Sequence, residues 1–153
     1  MTQSPSEKLE IRTEAPALRF KRLTPTAKAP EKQHESDACF DLFADNKEIK
    51  DTYIKMKTGV AVEIPQGYVG LIFPRSSITK RSYMLKNSVG VIDSGYRGEI
   101  EFRFTKIGKG QEYDLDERIG QLMLLPVPNF PLKEVKELSD SDRGAGGFGS
   151  TGK

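Results

Sequence analysis

One stretch decides the fold of this chain: Tyr53-Ile-Lys-Met-Lys-Thr-Gly-Val-Ala-Val-Glu-Ile64. Its first half alternates lysines with Ile54, Met56 and Thr58, and its second half consists mainly of small aliphatic residues. Alternation of this kind places apolar side chains on one face of a β-strand and polar side chains on the other. The stretch therefore predicts a long strand with one face in the core.

Other segments of the chain share this character, as short apolar or alternating runs bounded by turn residues. They are Leu18–Leu23, Tyr68–Phe73, Ser88–Ile92, Glu99–Lys106 and Arg118–Val127. Hairpins and corners are expected between them, at Pro65–Gly67, Asp93–Gly95 and Gly108–Gly110. Only Ser76 to about Leu85 predicts a helical turn or two, with Ser76 or Ser77 as the N-cap. The predicted fold class is all-β, with many short strands and little helix.

The chain divides into three unequal parts. Residues 1–16 are polar and lack apolar periodicity, which predicts a disordered N-terminal extension. Residues 17–138 carry the strand pattern and predict one β domain, because 153 residues suffice for one core but not for two complete domains. Prolines at positions 126, 128 and 131 are expected to break regular structure before a last strand. Residues 139–153 form a glycine-rich C-terminal arm.

Composition limits the partners and the location of the protein. The formal net charge of +2 comes from 24 basic and 22 acidic residues, which leaves no cationic excess for wrapping a nucleic-acid backbone. The single Cys39 excludes an internal disulfide, and the lone His34 argues against a zinc site. No apolar run approaches the length of a membrane span or signal peptide. We therefore expect an intracellular, soluble protein of the cytoplasm, or of the nucleus if its source is eukaryotic or viral.

The last eleven residues, Arg143–Lys153, contain five glycines and little that could pack into a core. Glycine loses more backbone entropy on ordering than any other residue, so this arm is expected to order only around a ligand that offers many backbone contacts. A polyphosphate is such a ligand for bare amides, hydroxyls and an arginine. Phe148 adds a flat face on which a base could stack. The alternative is a flexible terminus without a role.

Pro74-Arg-Ser-Ser77 follows a predicted strand and opens the predicted helical turn. Amides and hydroxyls at such a turn point toward an anion, and Arg75 lies next to them. The tetrapeptide is a candidate phosphate site, or else an ordinary capped turn.

The segment Val89–Glu99 predicts an apolar strand that ends at Asp93, turns and returns as a hairpin. A carboxylate at the lip of a hairpin, beside Tyr96, could deprotonate a water molecule, and open strand edges could read the donors and acceptors of a base. Alternatively, Asp93 bonds its own downstream amides in a tight turn, and Tyr96 belongs to the core.

Two further segments place polar side chains among apolar ones. Asp41 lies within Asp37–Ala44, and Arg118 and Gln121 head the hydrophobic run that ends at Leu125. A carboxylate in apolar surroundings is costly unless it meets an arginine, a backbone donor or a hydrated metal ion. Both buried pairing with a basic residue and a catalytic role remain open for Asp41.

In this order, these segments resemble the five motifs of the trimeric dUTP pyrophosphatases, the dUTPases. The likeness runs from about Asp37 to Gly152 and rests on PRSS, GVIDSGYRGE, RIGQL and RGAGGFGSTG in one chain. Cys39 stands where the family usually has Gly, and Gly120 where it usually has Ala. Ser77 stands where the family often has Gly and could add a hydroxyl contact to phosphate.

The resemblance implies a jelly-roll-like (β-clip) subunit with one short helix, assembled as a homotrimer. Three active sites would lie at its interfaces, each built from motifs of different subunits, with residues 139–153 of one chain closing a neighbouring site. The implied activity is hydrolysis of dUTP to dUMP and pyrophosphate with Mg²⁺. Asp93 would activate the water that attacks the α-phosphorus, without a covalent intermediate. The reaction would limit uracil incorporation into DNA and supply dUMP for thymidylate synthesis.

The resemblance also implies a role for each site residue. The phosphates would be held by Arg75, Ser76, Ser77 and Gln121. Uracil would be read by Asn87, by the backbone of Gly90, Val91 and Ile92, and by Glu101. Tyr96 would pack under the deoxyribose, and Asp41 would reach the magnesium ion through water. The residues that would close over the nucleotide are Arg143, Phe148, Gly149, Ser150 and Thr151.

Two rival functions are weighed against this one. The dCTP deaminases resemble dUTPases around the second and third motifs, but their general base is a Glu on the return strand, where this chain has Arg103. A non-catalytic relative that binds a nucleotide or a protein as a signal is disfavoured because Asp93 and the arm residues are all in place.

Overall fold

The computed structural model describes residues 16–147 and is built almost entirely from β-strands. The strands are β1 (Arg19–Arg22), β2 (Cys39–Phe43), β3 (Asn46–Ile49), β4 (Ile54–Glu63), β5 (Tyr68–Phe73), β6 (Tyr83–Leu85), β7 (Gly90–Ile92), β8 (Glu99–Lys106) and β9 (Arg118–Pro126). A 3₁₀ helix covers Ser76–Lys80. The all-β prediction is confirmed, and β5 and β8 have the predicted bounds.

Two antiparallel sheets make up the domain. In the first sheet the order is β1-β4-β8-β6, with β3 also paired to β4, and in the second it is β2-β9-β5-β7. The decisive stretch forms β4, the strand of the first sheet that pairs with β1, β3 and β8. Ile54, Met56 and Val60 of this strand are buried, while its lysines face outward as the alternation predicted.

The core lies between the two sheets and is aliphatic and aromatic. Phe102 and Phe104 of β8 are fully buried and stack at 5.9 Å between ring centroids. Tyr83 and Tyr113 extend this aromatic cluster, with ring centroids 5.5 Å apart. From the second sheet, Leu122 of β9 completes the packing. Burial of these large side chains is the main favourable term in the stability of such a domain.

The predicted hairpin at Asp93–Gly95 is wrong. β7 pairs with β5 in the second sheet, whereas β8 pairs with β4 and β6 in the first. The chain therefore crosses from one sheet to the other through Asp93–Gly98, as a corner. A corner was not distinguishable from a hairpin, because both need the same turn residues between two strand-like runs.

The predicted helical segment is shorter than expected, and neither serine caps it. Arg75 holds the N-cap position without a side-chain hydrogen bond, and the 3₁₀ helix ends at Lys80. Tyr83–Leu85, which was predicted to be helical, forms β6 with a buried, exposed, buried pattern. That alternation favours a strand along β8 over a further helical turn.

Three strands were not predicted, and one predicted strand is not formed. β2, β3 and β6 have at most five residues each, too few for a clear period. The last strand expected after the prolines is not formed in the described part of the chain, where residues 127–147 contain no strand. Phe130 and Leu132 in this segment are 81% and 103% exposed. No helix of residues 16–147 is long and apolar enough to cross a membrane.

Gly120 in the middle of β9 provides a test of the packing between the sheets. A Cβ atom at this position would overlap the ring of Phe102, whose side chain is fully buried. We expect Gly120→Ala to lower the free energy of unfolding by about 1–3 kcal/mol, because overpacking forces buried side chains to move. Urea titration measures the change.

The combination Gly120→Ala with Phe102→Leu is expected to cost less than the sum of the two single changes, since the smaller side chain frees the space. Gly95→Ala is the matched control, because a Cβ there would meet nothing within 4 Å. A Gly120→Ala protein as stable as the control would contradict this account of the packing.

Candidate active site

A cleft of about 410 Å³ lies against the corner between β7 and β8, and we call it the base cleft. Its lining residues are Lys86, Asn87, Val91, Ile92, Asp93, Tyr96, Glu99, Glu101 and Arg103. The structure thus brings together the predicted catalytic residue and most of the residues predicted to read uracil. Gly90 lies beside them on β7, where a Cβ atom would overlap the side chain of Ile72.

The Asp93–Gly98 corner is held by backbone and side-chain hydrogen bonds. The Tyr96 amide donates to the Asp93 carbonyl at 3.0 Å, and Arg97 Nη1 donates to the Ser94 carbonyl at 2.7 Å. The Asp93 side chain is exposed and makes no hydrogen bond to the other described residues. Tyr96 is 44% exposed and not part of the core. The alternative in which Asp93 caps its own turn and Tyr96 is buried is therefore wrong.

A second cleft, of about 320 Å³, lies where β2 and β9 meet the turn after β5, and we call it the arginine cleft. It is lined by Gln33, Asp37, Ala38, Cys39, Asp41, Arg75, Ser76 and Gln121. Strand pairing creates it, because Asp41 of β2 and Phe73 of β5 both lie opposite Gln121 on β9.

Asp41 is buried and paired with two arginines. Its Oδ1 lies 3.0 Å from Nε of Arg75, and its Oδ2 lies 3.4 Å from Nε of Arg118. Arg118 in turn donates to Glu31 at 3.0 Å. Of the two interpretations left open for Asp41, the structure shows the pairing with a basic residue. Two guanidinium groups offset the cost of burying the carboxylate, and that of Arg75 also lines the cleft.

The remaining predicted phosphate contacts divide between two places. Gln121 Nε2 donates to the Pro74 carbonyl at 3.0 Å, which fixes the turn that carries Arg75. Ser76 lines the arginine cleft, whereas Ser77 lines a neighbouring cleft of about 400 Å³ with Arg81 and others. Consecutive residues of a 3₁₀ helix point about a third of a turn apart, which separates the two hydroxyls.

The start of the arm is described, but its end is not. Arg143 donates from Nε to the Gly146 carbonyl at 2.9 Å, and Gly144 has a φ of +51°. Arg143 is exposed and reaches neither the base cleft nor the arginine cleft in this chain. The predicted contacts of Phe148, Gly149, Ser150 and Thr151 lie outside the described residues.

Several lining residues were missed at the sequence level. Glu99 and Arg103 line the base cleft on either side of Glu101, because alternate residues of β8 share one face. That spacing was visible in the sequence and could have identified them.

Cys39 lines the arginine cleft, where burial raises the pKa of its thiol. Cys39 is therefore poorly suited to act as a nucleophile.

The residues of the arginine cleft fit a magnesium ion that stays largely hydrated. Among the described residues no group of three or more His, Cys, Asp or Glu side chains could hold a metal directly. Asp37 and Asp41 are the two acidic residues that line this cleft. Mg²⁺ prefers oxygen ligands, keeps several waters and often binds through one or two carboxylates together with substrate phosphates.

Comparisons with known proteins all point to one family. The dUTPase family model matches residues 26–152. Deoxyuridine 5'-triphosphate nucleotidohydrolase of Clostridium acetobutylicum is 41% identical over 144 residues, covering 88% of this chain and 96% of that protein. The enzyme of the same name from Escherichia phage T5 is 48% identical over 103 residues, covering 65% of this chain and 68% of that protein.

Among solved structures, the Staphylococcus bacteriophage 80alpha dUTPase with dUpNHpp has a TM-score of 0.78 and 31% identity, covering 91% of this chain and 100% of that chain. A point mutant of the dUTPase from phage phi11 of S. aureus, whose structure reveals the coordination of a structural Mg(II) ion, has a TM-score of 0.68 and 28% identity, covering 80% of this chain and 98% of that chain. The family model spans most of the described β domain and both clefts, and the chain belongs to the dUTPase family.

Proposed function

We propose that this protein hydrolyses dUTP to dUMP and pyrophosphate. The observation that carries the proposal is the base cleft, where the exposed carboxylate of Asp93 lies with Tyr96 and the edge of β7 around one space of nucleoside size. Relatives named deoxyuridine 5'-triphosphate nucleotidohydrolase support it. The reaction would limit uracil incorporation into DNA and supply dUMP for thymidylate synthesis.

In the proposed mechanism, Asp93 takes a proton from a water molecule in line with the α-phosphorus. A general base needs access to that water, and the exposure of Asp93 supplies it. Arg75, with Asp41 on its Nε, keeps its terminal nitrogens for phosphate oxygens. Mg²⁺, when bound, would neutralise charge on the phosphates and the leaving pyrophosphate. Asp41 would hold the hydrated ion through water, and Arg143 would add charge as the arm closes.

Selectivity for deoxyuridine has a physical source in the same cleft. The backbone of β7 offers fixed donors and acceptors, and cytosine would leave some of them unpaired. Gly90 lets β7 pack closely against β5, since a side chain there would collide with the buried Ile72. Tyr96 would lie under the sugar and leave no room for a ribose 2′-hydroxyl. A deaminase is disfavoured, because Arg103 lines the cleft where that family has its Glu.

We further infer a homotrimer with shared active sites. The base cleft and the arginine cleft have no lining residue in common. Residues 127–138 leave Phe130, Leu132 and Leu138 exposed, which suits packing against another subunit. In the proposed assembly, one subunit supplies the base cleft, a second the arginine cleft and a third the arm.

The role of Asp93 can be tested by Asp93→Asn, which removes the base but keeps the shape. We expect turnover of dUTP to fall by about three orders of magnitude, while dUMP binding changes little, because the cleft is otherwise intact. Pyrophosphate release and equilibrium binding measure the two effects. Asp51→Asn, in the exposed turn before β4, is the matched control. Near-normal turnover in Asp93→Asn would contradict the proposed mechanism.

The shared site can be tested by mixing two inactive proteins. One carries Asp93→Asn, and the other ends after Arg143. After subunit exchange in an equal mixture, each hybrid trimer should regain about one active site of its three, or about one quarter of all sites, because one parent brings Asp93 and the other brings the arm. Sedimentation confirms assembly, and dUTP hydrolysis is the readout. Continued inactivity of fully exchanged trimers, or full activity of a monomer, would show that the site is not shared.

The role of Asp41 can be tested by Asp41→Asn. We expect the Mg²⁺ concentration for half-maximal hydrolysis to rise about tenfold, as is typical when a group that positions a metal is removed. The melting temperature should also fall, since Arg75 and Arg118 lose their shared counter-charge. Asp116→Asn, whose carboxylate pairs with Lys28 on the surface, is the control. An unchanged Mg²⁺ dependence in Asp41→Asn would remove Asp41 from the metal site.

A further inference from the structure

The backbone pairing between β4 and β8 is interrupted by a bulge between Lys57 and Ala61. Side chains supply hydrogen bonds to the backbone groups at this bulge. The Gly59 amide, which lacks a strand partner, donates to Oε1 of Glu99 at 2.7 Å. Thr58 Oγ1 donates to the Ile100 carbonyl at 2.8 Å. A buried or half-buried amide without an acceptor is costly, so the Glu99 carboxylate has a defined task at this bulge.

The carboxylate of Glu99 is fixed by a second contact. Its Oε2 lies 3.1 Å from Nζ of Lys57, and the Glu99 side chain is 18% exposed. The hydrogen bond to Glu99 raises the pKa of Lys57. Glu99, the first residue of β8, is therefore bound to β4 at both Gly59 and Lys57.

The main chain of Glu99 holds Tyr96. The Tyr96 hydroxyl donates to the Glu99 carbonyl at 3.0 Å, and its ring lies over Gly98, where a Cβ atom would overlap the hydroxyl and lie 2.9 Å from Cε2. Because Tyr96 is 44% exposed and outside the core, core packing does not fix its position. Its place in the base cleft depends on this hydrogen bond and on the close approach to Gly98.

We propose that Glu99 is a positioning residue for sugar discrimination: it anchors the corner to the β4 bulge and thereby fixes Tyr96 under the deoxyribose. The inference rests on the proposed function, in which Tyr96 excludes a ribose 2′-hydroxyl. Glu99 acts through Tyr96 and needs no contact with the substrate. Its loss should therefore relax the preference for dUTP over UTP.

The test compares kcat/KM for dUTP and UTP in the wild-type protein, Glu99→Gln, Glu99→Ala and Tyr96→Phe. We expect Glu99→Ala to lower the ratio of kcat/KM for dUTP to kcat/KM for UTP about tenfold, because a mobile Tyr96 ring would admit the ribose 2′-hydroxyl of UTP. Glu99→Gln should retain most of the preference for dUTP, since the glutamine amide oxygen can still accept a hydrogen bond from the Gly59 N–H. Glu48→Gln, a change to another glutamate paired with lysines beside β4, should leave the ratio unchanged.

The combination Glu99→Ala with Tyr96→Phe separates positioning from general destabilisation. If Glu99 acts through the Tyr96 hydroxyl, adding Glu99→Ala to Tyr96→Phe should change the ratio by less than about twofold. Melting temperatures are measured in parallel. A Glu99→Ala protein that melts lower but keeps the wild-type ratio would overturn the proposal, as would fully additive effects in the double variant.

Equilibrium binding of dUMP and UMP to the same proteins keeps the two proposals distinguishable. Wild-type protein that fails to hydrolyse dUTP would count against the proposed function. The binding ratio of dUMP to UMP still decides the role of Glu99: a fall of about tenfold in Glu99→Ala supports it, and an unchanged ratio overturns it.

Discussion

The rest of the structure depends on the break in the β4 ladder at Gly59. Its φ of +64° favours glycine, and a Cβ atom there would lie 2.7 Å from Cβ of Ala27 and 2.9 Å from Oδ2 of Asp45. The break divides β4 into a half that pairs with β3 and β8 and a half that pairs mainly with β1. Leu23 donates to the Gly59 carbonyl, and Gly59 donates to Glu99. One left-handed residue thus connects the start of the domain to the corner of the base cleft.

Charge is arranged differently in the two clefts. In the arginine cleft, Asp41 lies between Arg75 and Arg118, and losing one partner would leave a buried charge uncompensated. The pairing orders the cations before any anion arrives, which reduces the entropy lost on binding. In the base cleft, the Asp93 carboxylate forms no ion pair with the other described residues. The oxygens of an exposed, unpaired carboxylate are free to accept a hydrogen bond from a water molecule.

Much of the fold could be predicted from the alternation of apolar and polar residues and from the position of turn residues. Tyr68–Phe73 and Glu99–Lys106 have strand patterns long enough to fix their bounds, and both were predicted to the residue. β2 and β6 could not be predicted, since a strand of three to five residues gains its stability from its neighbours. The hairpin at Asp93 was predicted wrongly for a related reason. Local sequence specifies a turn, but only the partners of β7 and β8 decide that it joins two sheets.

The candidate site was predictable in its residues but not in its grouping. Asn87, Asp93 and Tyr96 were assigned together and line one cleft, whereas Arg75 and Gln121 line another. No spacing in a single chain reveals that division, because it arises from strand order: β7 and β2 lie at opposite edges of the second sheet. If the site is completed between subunits, the division has a physical consequence. In the proposed assembly, neither cleft alone would bind both ends of a nucleoside triphosphate. Hydrolysis would then require assembly, and an isolated subunit would be inactive although its sequence contains every side chain of the site.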